Sequence, residues 1–145
     1  MIGQMGGLPV VRVVGYSRKR RHPYRSERFM IASYVGLDEL SERLADRSIG
    51  VQAMRVLLAM MSSCDYENRV RMKQADLSRS LSMARSHVSE AIADLVDSGF
   101  VERDSARGGY VVSPRLCWKG SEDTLRAALA KRGMLDGLGY LRGAA

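Results

Sequence analysis

The sequence predicts an α+β fold, mainly helical, and two observations carry that expectation. Between residues 72 and 97 two apolar periodicities of helical spacing are separated by a tight turn. Between residues 100 and 112 two β-rich segments flank a glycine-rich tip. A short helix, a turn, a longer helix and then a hairpin is the order of a winged helix-turn-helix, with added N-terminal strand and C-terminal helix. Such a unit is a device for placing one helix in the major groove of DNA.

The elements follow in order. Residues 8–16 hold a β-branched run with Pro9 at its start, which predicts an edge strand. Residues 18–28 are polar, broken by Pro23, and read as a linker, and residues 29–35 predict a second strand. Gly36 and Asp38 then open a helix with Leu37, Leu40 and Leu44 on one face. Between Ile49 and Cys64 the apolar residues lie almost all round the helix, which predicts a buried central element. Residues 65–68 form a polar turn, and Val70, Arg71 and Met72 a short strand.

In the first helix of the pair, Leu77 and Leu81 face inward, and Met83 fills the turn. In the second, Val88, Ala91, Ile92, Leu95 and Val96 form one stripe, while Ser86, Glu90, Ala93 and Asp97 form a face of short side chains opposite it. Gly99 suits the left-handed residue that ends a helix. Residues 100–103 and 110–112 pair as a hairpin around 104–109, and Ser113-Pro114 ends the sheet. Ser121 caps a last helix with Glu122 and Asp123 in its first turn and an apolar face of Leu125, Ala128 and Leu129. Met134, Leu135, Leu138, Tyr140 and Leu141 either fold back on the domain or meet a second subunit. A homodimer is the favoured expectation, because DNA readers of this size commonly bind paired half-sites.

Charge divides the chain in two. The formal net charge is +7. Residues 1–28 hold seven basic side chains against Glu27 alone, hence +6, and the other 117 residues hold sixteen basic and fifteen acidic side chains, hence +1. Residues 1–28 therefore read as a basic arm, and residues 29–145 as a DNA-binding domain. A cationic arm gains counterion-release free energy beside a polyanion without fixed structure, so Arg18, Lys19, Arg20, Arg21 and Arg25 are expected to meet DNA. No apolar run approaches the ~20 residues that span a bilayer, and the first residues lack the blocks of a signal peptide. Cys64 and Cys117 make neither a metal cluster nor a disulfide framework, which fits a reducing cytoplasm. No phosphate-cradling loop, metal set or nucleophile–base pair suggests an enzyme, and no cofactor is expected.

The second helix of the pair is expected to enter the major groove by its N-terminal end. Arg85, Ser86, Ser89 and Glu90 are the candidates for base edges, Arg85 toward guanine and Glu90 toward the cytosine amino group. A local ion pair on the helix surface is the equal alternative for Glu90. Lys73 and Gln74 at the first helix, with Arg103 and Arg107 in the hairpin, are the candidates for phosphate.

Over residues 29–132 the chain resembles the RepL-type plasmid replication proteins. The resemblance lies in Asn68-Arg69-Val70, in the helix-turn-helix, in Gly109-Tyr110-Val111-Val112, and in the post-hairpin positions Pro114, Leu116, Lys119 and Gly120. It implies a winged-helix initiator or replication-control protein that binds origin repeats, with double-stranded DNA and host replication proteins as partners. An operator-binding repressor, or a partition or conjugation accessory protein, would use the same surface. Three positions depart from the family pattern. Ser82 stands for the usual turn glycine, Ala84 for the serine that opens the second helix, and Ser113 for an asparagine. Ala is a poor N-cap, about 1 kcal/mol worse than Ser. Either Ser82 caps a helix begun two residues earlier or the cap is absent.

Overall fold

The computed structural model describes Val10–Val11 and residues 29–134. Its elements are β1 (Val10–Val11), β2 (Ile31–Ser33), α1 (Tyr34–Ala45), α2 (Val51–Ser63), β3 (Arg69–Val70), α3 (Gln74–Leu81), α4 (Arg85–Asp97), β4 (Val101–Arg103), β5 (Tyr110–Val112), β6 (Cys117–Trp118) and α5 (Glu122–Lys131). The fold is α+β and mainly helical, with two small antiparallel sheets of order β1-β2-β6 and β3-β5-β4.

In the first sheet Val10 lies opposite Ser33, and Ile31 opposite Trp118. The edge strand expected near residues 8–16 is thus present at Val10–Val11. β6 was not expected, since two residues carry no readable period. The strand expected over 29–35 is shorter because Ser33 ends it. The Ser33 hydroxyl accepts the Gly36 N–H at 3.2 Å, capping α1 and turning Tyr34 and Val35 into its first turn. Gly36 therefore lies inside the helix rather than before it. A Cβ there would sit 2.5 Å from the Arg115 carbonyl oxygen, so only glycine allows that crossing. Of the three leucines expected on one face of α1, only Leu40 is buried, while Leu37 and Leu44 stay exposed.

α2 also corrects the sequence reading. Ala53, Val56, Leu57 and Met60 are buried, but Val51 and Leu58 are 75% and 52% exposed. The helix is covered on one face by α3 and α4, not all round. The main core lies between these three helices and the second sheet. It is built on Leu57, Met60, Leu77, Val88, Ile92 and Leu95, closed by Phe100, Val101 and Val112. A smaller cluster joins Trp118 to Leu125 and Leu129 of α5, with Val35 and Met134 against it. The α5 stripe is therefore satisfied within one chain and is not a free dimer face. Leu135, Leu138, Tyr140 and Leu141 lie outside the described residues.

In the second sheet Val70 lies opposite Tyr110, Arg103 opposite Tyr110 on the other side, and Val101 opposite Val112. β3 begins one residue earlier than expected and stops at Val70. A 3-10 turn at Tyr66–Asn68 leads into it, with Glu67 and Asn68 at φ 60° and 62°. Asn68 is fully buried. Its side-chain amide donates to the Val112 and Cys117 carbonyls at 2.9 and 2.7 Å, and its oxygen accepts the Lys119 N–H at 2.8 Å. One side chain thus ties β5 to β6 and joins the two sheets. Among the described residues no helix is long and apolar enough to cross a membrane.

Candidate nucleic-acid interface

Local sequence sets the angle between α3 and α4. Lys73 is the N-cap residue of α3, and its N–H donates to the Asp76 carboxylate at 3.0 Å. Leu77 anchors the helix in the core. Ser82 then adopts the left-handed conformation (φ 52°, ψ 45°) and ends α3. It occupies the position where glycine would carry less strain, and it does not cap α4. Met83 is buried in the turn, as expected. Arg55 of α2 donates to the Leu81 carbonyl at 2.8 Å, holding the C-terminal end of α3. Sequence reading missed that bond, because nothing in the spacing of α2 links Arg55 to a residue 26 positions on.

Ala84 is the N-cap residue of α4 and makes no side-chain cap bond. Of the two alternatives for this helix, the absent cap is the one realised. Arg85, Ser86 and Ser89 are all exposed around that uncapped first turn, and Val88, Ala91, Ile92 and Leu95 are buried on the opposite face. At 100° per residue Arg85 and Ser89 share one flank of α4, while His87, Glu90 and Asp94 lie toward the other. Those last three line a groove of about 320 Å³ against the first turn of α2. Negative charge is favourably placed beside a helix N-terminus, and Glu90 and Asp94 line this groove with Gly50 and Val51 at the start of α2.

The hairpin is tied back to α3. Gln74 donates to the Tyr110 hydroxyl at 3.2 Å, and the Arg103 guanidinium lies over the Tyr110 ring, 5.9 Å from its centroid. These three residues join the start of α3 to both hairpin strands. At the tip the Asp104 carboxylate accepts the Ala106 and Arg107 N–H groups, each at 3.2 Å. Gly109, at φ +80°, approaches β3 so closely that a Cβ would lie 2.8 Å from the Val70 carbonyl oxygen. Arg107 is exposed beside it. On the far side Arg132, just beyond α5, binds Glu102 of β4 through two nitrogens at 2.6 and 2.9 Å. Neither this pair nor the Asn68 clasp was read from the sequence.

The charges divide into paired and unpaired. Arg71 pairs with Asp65, and Arg79 with Asp76. Lys73, Arg85 and Arg107 make no ion pair among the described residues and are exposed. The arm residues Arg18, Lys19, Arg20, Arg21 and Arg25 lie outside the described residues. Both cysteines are buried, and burial, followed by the nearby Cys64, pushes the Cys117 thiol up to about 12. No group of three or more His, Cys, Asp or Glu side chains able to hold a metal occurs among the described residues.

No family model matches the chain, and no curated protein matches it. The resemblance to RepL-type proteins therefore rests on the residues quoted for it. Several of those are packing positions. Pro114 and Leu116 are buried, Lys119 donates to the Cys64 carbonyl at 3.1 Å, and Gly120 lies against the Trp118 indole.

Proposed function

We propose that this chain is a sequence-specific double-stranded-DNA-binding protein built on a winged helix-turn-helix. α4 is the helix that enters the major groove, and the β4–β5 hairpin is the wing. The order helix–strand–helix–helix–hairpin and the sheet order β3-β5-β4 support the fold reading. One observation carries the function. The first turn of α4 is uncapped and exposes Arg85, Ser86 and Ser89, while α3 and the hairpin, held together through Gln74, Tyr110 and Arg103, present unpaired Lys73 and Arg107. Free N–H groups and short side chains at that turn suit close approach to base edges and phosphate. α4 itself carries three acids and a single arginine, so affinity falls to Lys73, Arg103, Arg107 and the basic arm, and sequence choice to Arg85, Ser86 and Ser89. Glu90, exposed and in no ion pair among the described residues, keeps both readings, the cytosine amino group or a local role beside the start of α2.

The resemblance adds the biological setting: a plasmid replication initiator or replication-control protein acting on origin repeats in the cytoplasm. A homodimer on paired half-sites belongs to this proposal. Its contact is not the Leu125–Leu129 stripe; Leu58, 52% exposed beside Met61 at a shallow groove, is the apolar position proposed for it. Selection of duplexes from a pool of plasmid fragments tests the proposal, followed by footprinting. An iterated array within an origin is the expected result. A palindrome across a promoter would make the protein a repressor on the same surface, and recovery of no preferred sequence would remove sequence-specific binding.

A further inference from the structure

A second polar site lies away from the first turn of α4, at its other end. A pocket of about 220 Å³ opens between α1, the α4–β4 junction and the segment that follows β5, with Met134 on one side. Its walls include Arg43, Arg115, Glu39, Ser98 and Ser113. Cavities of ~150 Å³ already admit a six-carbon ring, whereas drug-sized ligands take ~300 Å³ or more, so this pocket fits a small molecule. The close crossing of Gly36 over the Arg115 backbone, which no side chain would permit, shapes one wall.

Arg115 gives the pocket its chemistry. Its Nη2 meets the Glu39 carboxylate at 3.3 Å, but its Nε is buried and has no acceptor. A buried cationic donor left without a partner costs free energy, and an anionic oxygen at that nitrogen would offset it. Nε and one Nη form the edge of guanidinium that binds carboxylate and phosphate through two parallel bonds. Arg43 adds a second guanidinium; it makes no ion pair within 4.0 Å among the described residues, and the one further carboxylate its charge acts on, Asp46 at the end of α1, does not line the pocket. Two arginines against one carboxylate leave the site net cationic. Asp94 and Asp97 are exposed and do not line this pocket, Asp94 lying along the other groove, and the Asp94, Leu95 and Val96 carbonyls already accept from Ser98, Phe100 and Gly99.

We infer that this pocket is a binding site for a small anionic metabolite bearing a carboxylate or phosphate group, held by Arg43 and the Nε edge of Arg115. It stands independently of the DNA-binding reading. A ligand there touches α1, the junction between α4 and β4, and the segment after β5 at once, so it would bias the seating of α4.

The test is a titration of the full chain with inorganic phosphate at constant ionic strength, followed by amide and arginine Nε–H NMR shifts, and repeated with acetate. Saturable shifts at Ser98, Gly99, Phe100 and the Arg115 Nε–H are expected. Whether phosphate or acetate binds more tightly identifies the class. Arg43→Ala, at an exposed residue, should weaken binding roughly tenfold. Glu39→Gln, which removes the competing carboxylate, should tighten it a few-fold. Shifts that stay linear in anion, that fall only on Lys73, Arg85 and Arg107, or that persist unchanged in Arg43→Ala would overturn the inference. The Lys73–Arg85–Arg107 pattern would do so while leaving the DNA-binding proposal standing.

Discussion

The side-chain oxygen of Asn68 accepts the backbone N–H of Lys119 at 2.8 Å, across 51 residues of sequence. The Glu67 N–H donates to the Lys119 carbonyl at 2.7 Å, so the two backbones are paired at the same point. With its bonds to Val112 and Cys117, Asn68 fixes the hairpin sheet relative to the β1-β2-β6 sheet and α5. Asn is among the few residues other than Gly that tolerate the φ of 62° found here while supplying such an amide.

Asn68→Leu removes three hydrogen bonds and leaves a carbonyl of β5, a carbonyl of β6 and an N–H with no partner. Each orphaned buried group costs about 1–3 kcal/mol, so urea unfolding should register a loss of roughly 3 kcal/mol or more. A loss within about 0.5 kcal/mol would mean that water replaces the amide at no cost.

Leu129 is fully buried against Trp118 in the same chain. Leu129→Ala should lower stability by about 2–5 kcal/mol and leave the sedimentation coefficient of the folded protein unchanged. Leu58→Glu, at an exposed position, should barely change stability but should weaken the proposed dimer. If Leu129→Ala dissociated a dimer without loss of stability, the α5 stripe would be intermolecular after all.

Because Val10–Val11 pairs with β2, deleting residues 1–28 would remove a strand as well as charge. Neutralising Arg18, Lys19, Arg20, Arg21 and Arg25 to Gln is the cleaner experiment. The slope of log K against log salt should shrink by up to roughly 0.9 for each phosphate that the arm no longer neutralises, on specific and random duplexes alike. Identical slopes before and after would make the arm a bystander.

The Cys117 thiol, held at about 12 in the fold, ionises near ~8.5 in the unfolded chain. A raised folded value means that its contribution is complete below the unfolded value and is lost as pH rises from there toward 12. Stability should therefore decline above about pH 8.5, and less steeply in Cys117→Ala. Thiol reagents at pH 8 should label both cysteines only under denaturing conditions; rapid labelling of native protein would contradict their burial.

Local signals in the sequence translated well into structure. The stripe of Val88, Ala91, Ile92 and Leu95, the left-handed Gly99, the hairpin around residues 104–109 and the Ser121 cap each depend on neighbours a few positions apart. What stayed hidden was non-local or too short to show a period. β6 is two residues long, Arg55 and Asn68 reach partners 26 and 44–51 positions away, and Arg132 meets Glu102 across 30. The apolar content of α2 was legible, but not that Leu58 would stay half exposed among the described residues. At the candidate site the residues of α4 were legible as a helix face, whereas the meeting of the Glu90 flank with α2 depends on where α2 begins.

On the proposed reading the first turn of α4 reads bases while the hairpin holds backbone, and the ratio of affinities for a selected duplex and a random duplex, in Arg85→Ala and in Arg107→Ala, separates the two roles. Both variants must keep the wild-type circular dichroism. Arg85→Ala should cost about 1–3 kcal/mol on the selected duplex and collapse the ratio at one or two base pairs. Arg107→Ala should weaken both duplexes by similar factors and leave the ratio intact. An unchanged ratio in Arg85→Ala, or a collapsed one in Arg107→Ala alone, would contradict this division of roles between α4 and the hairpin.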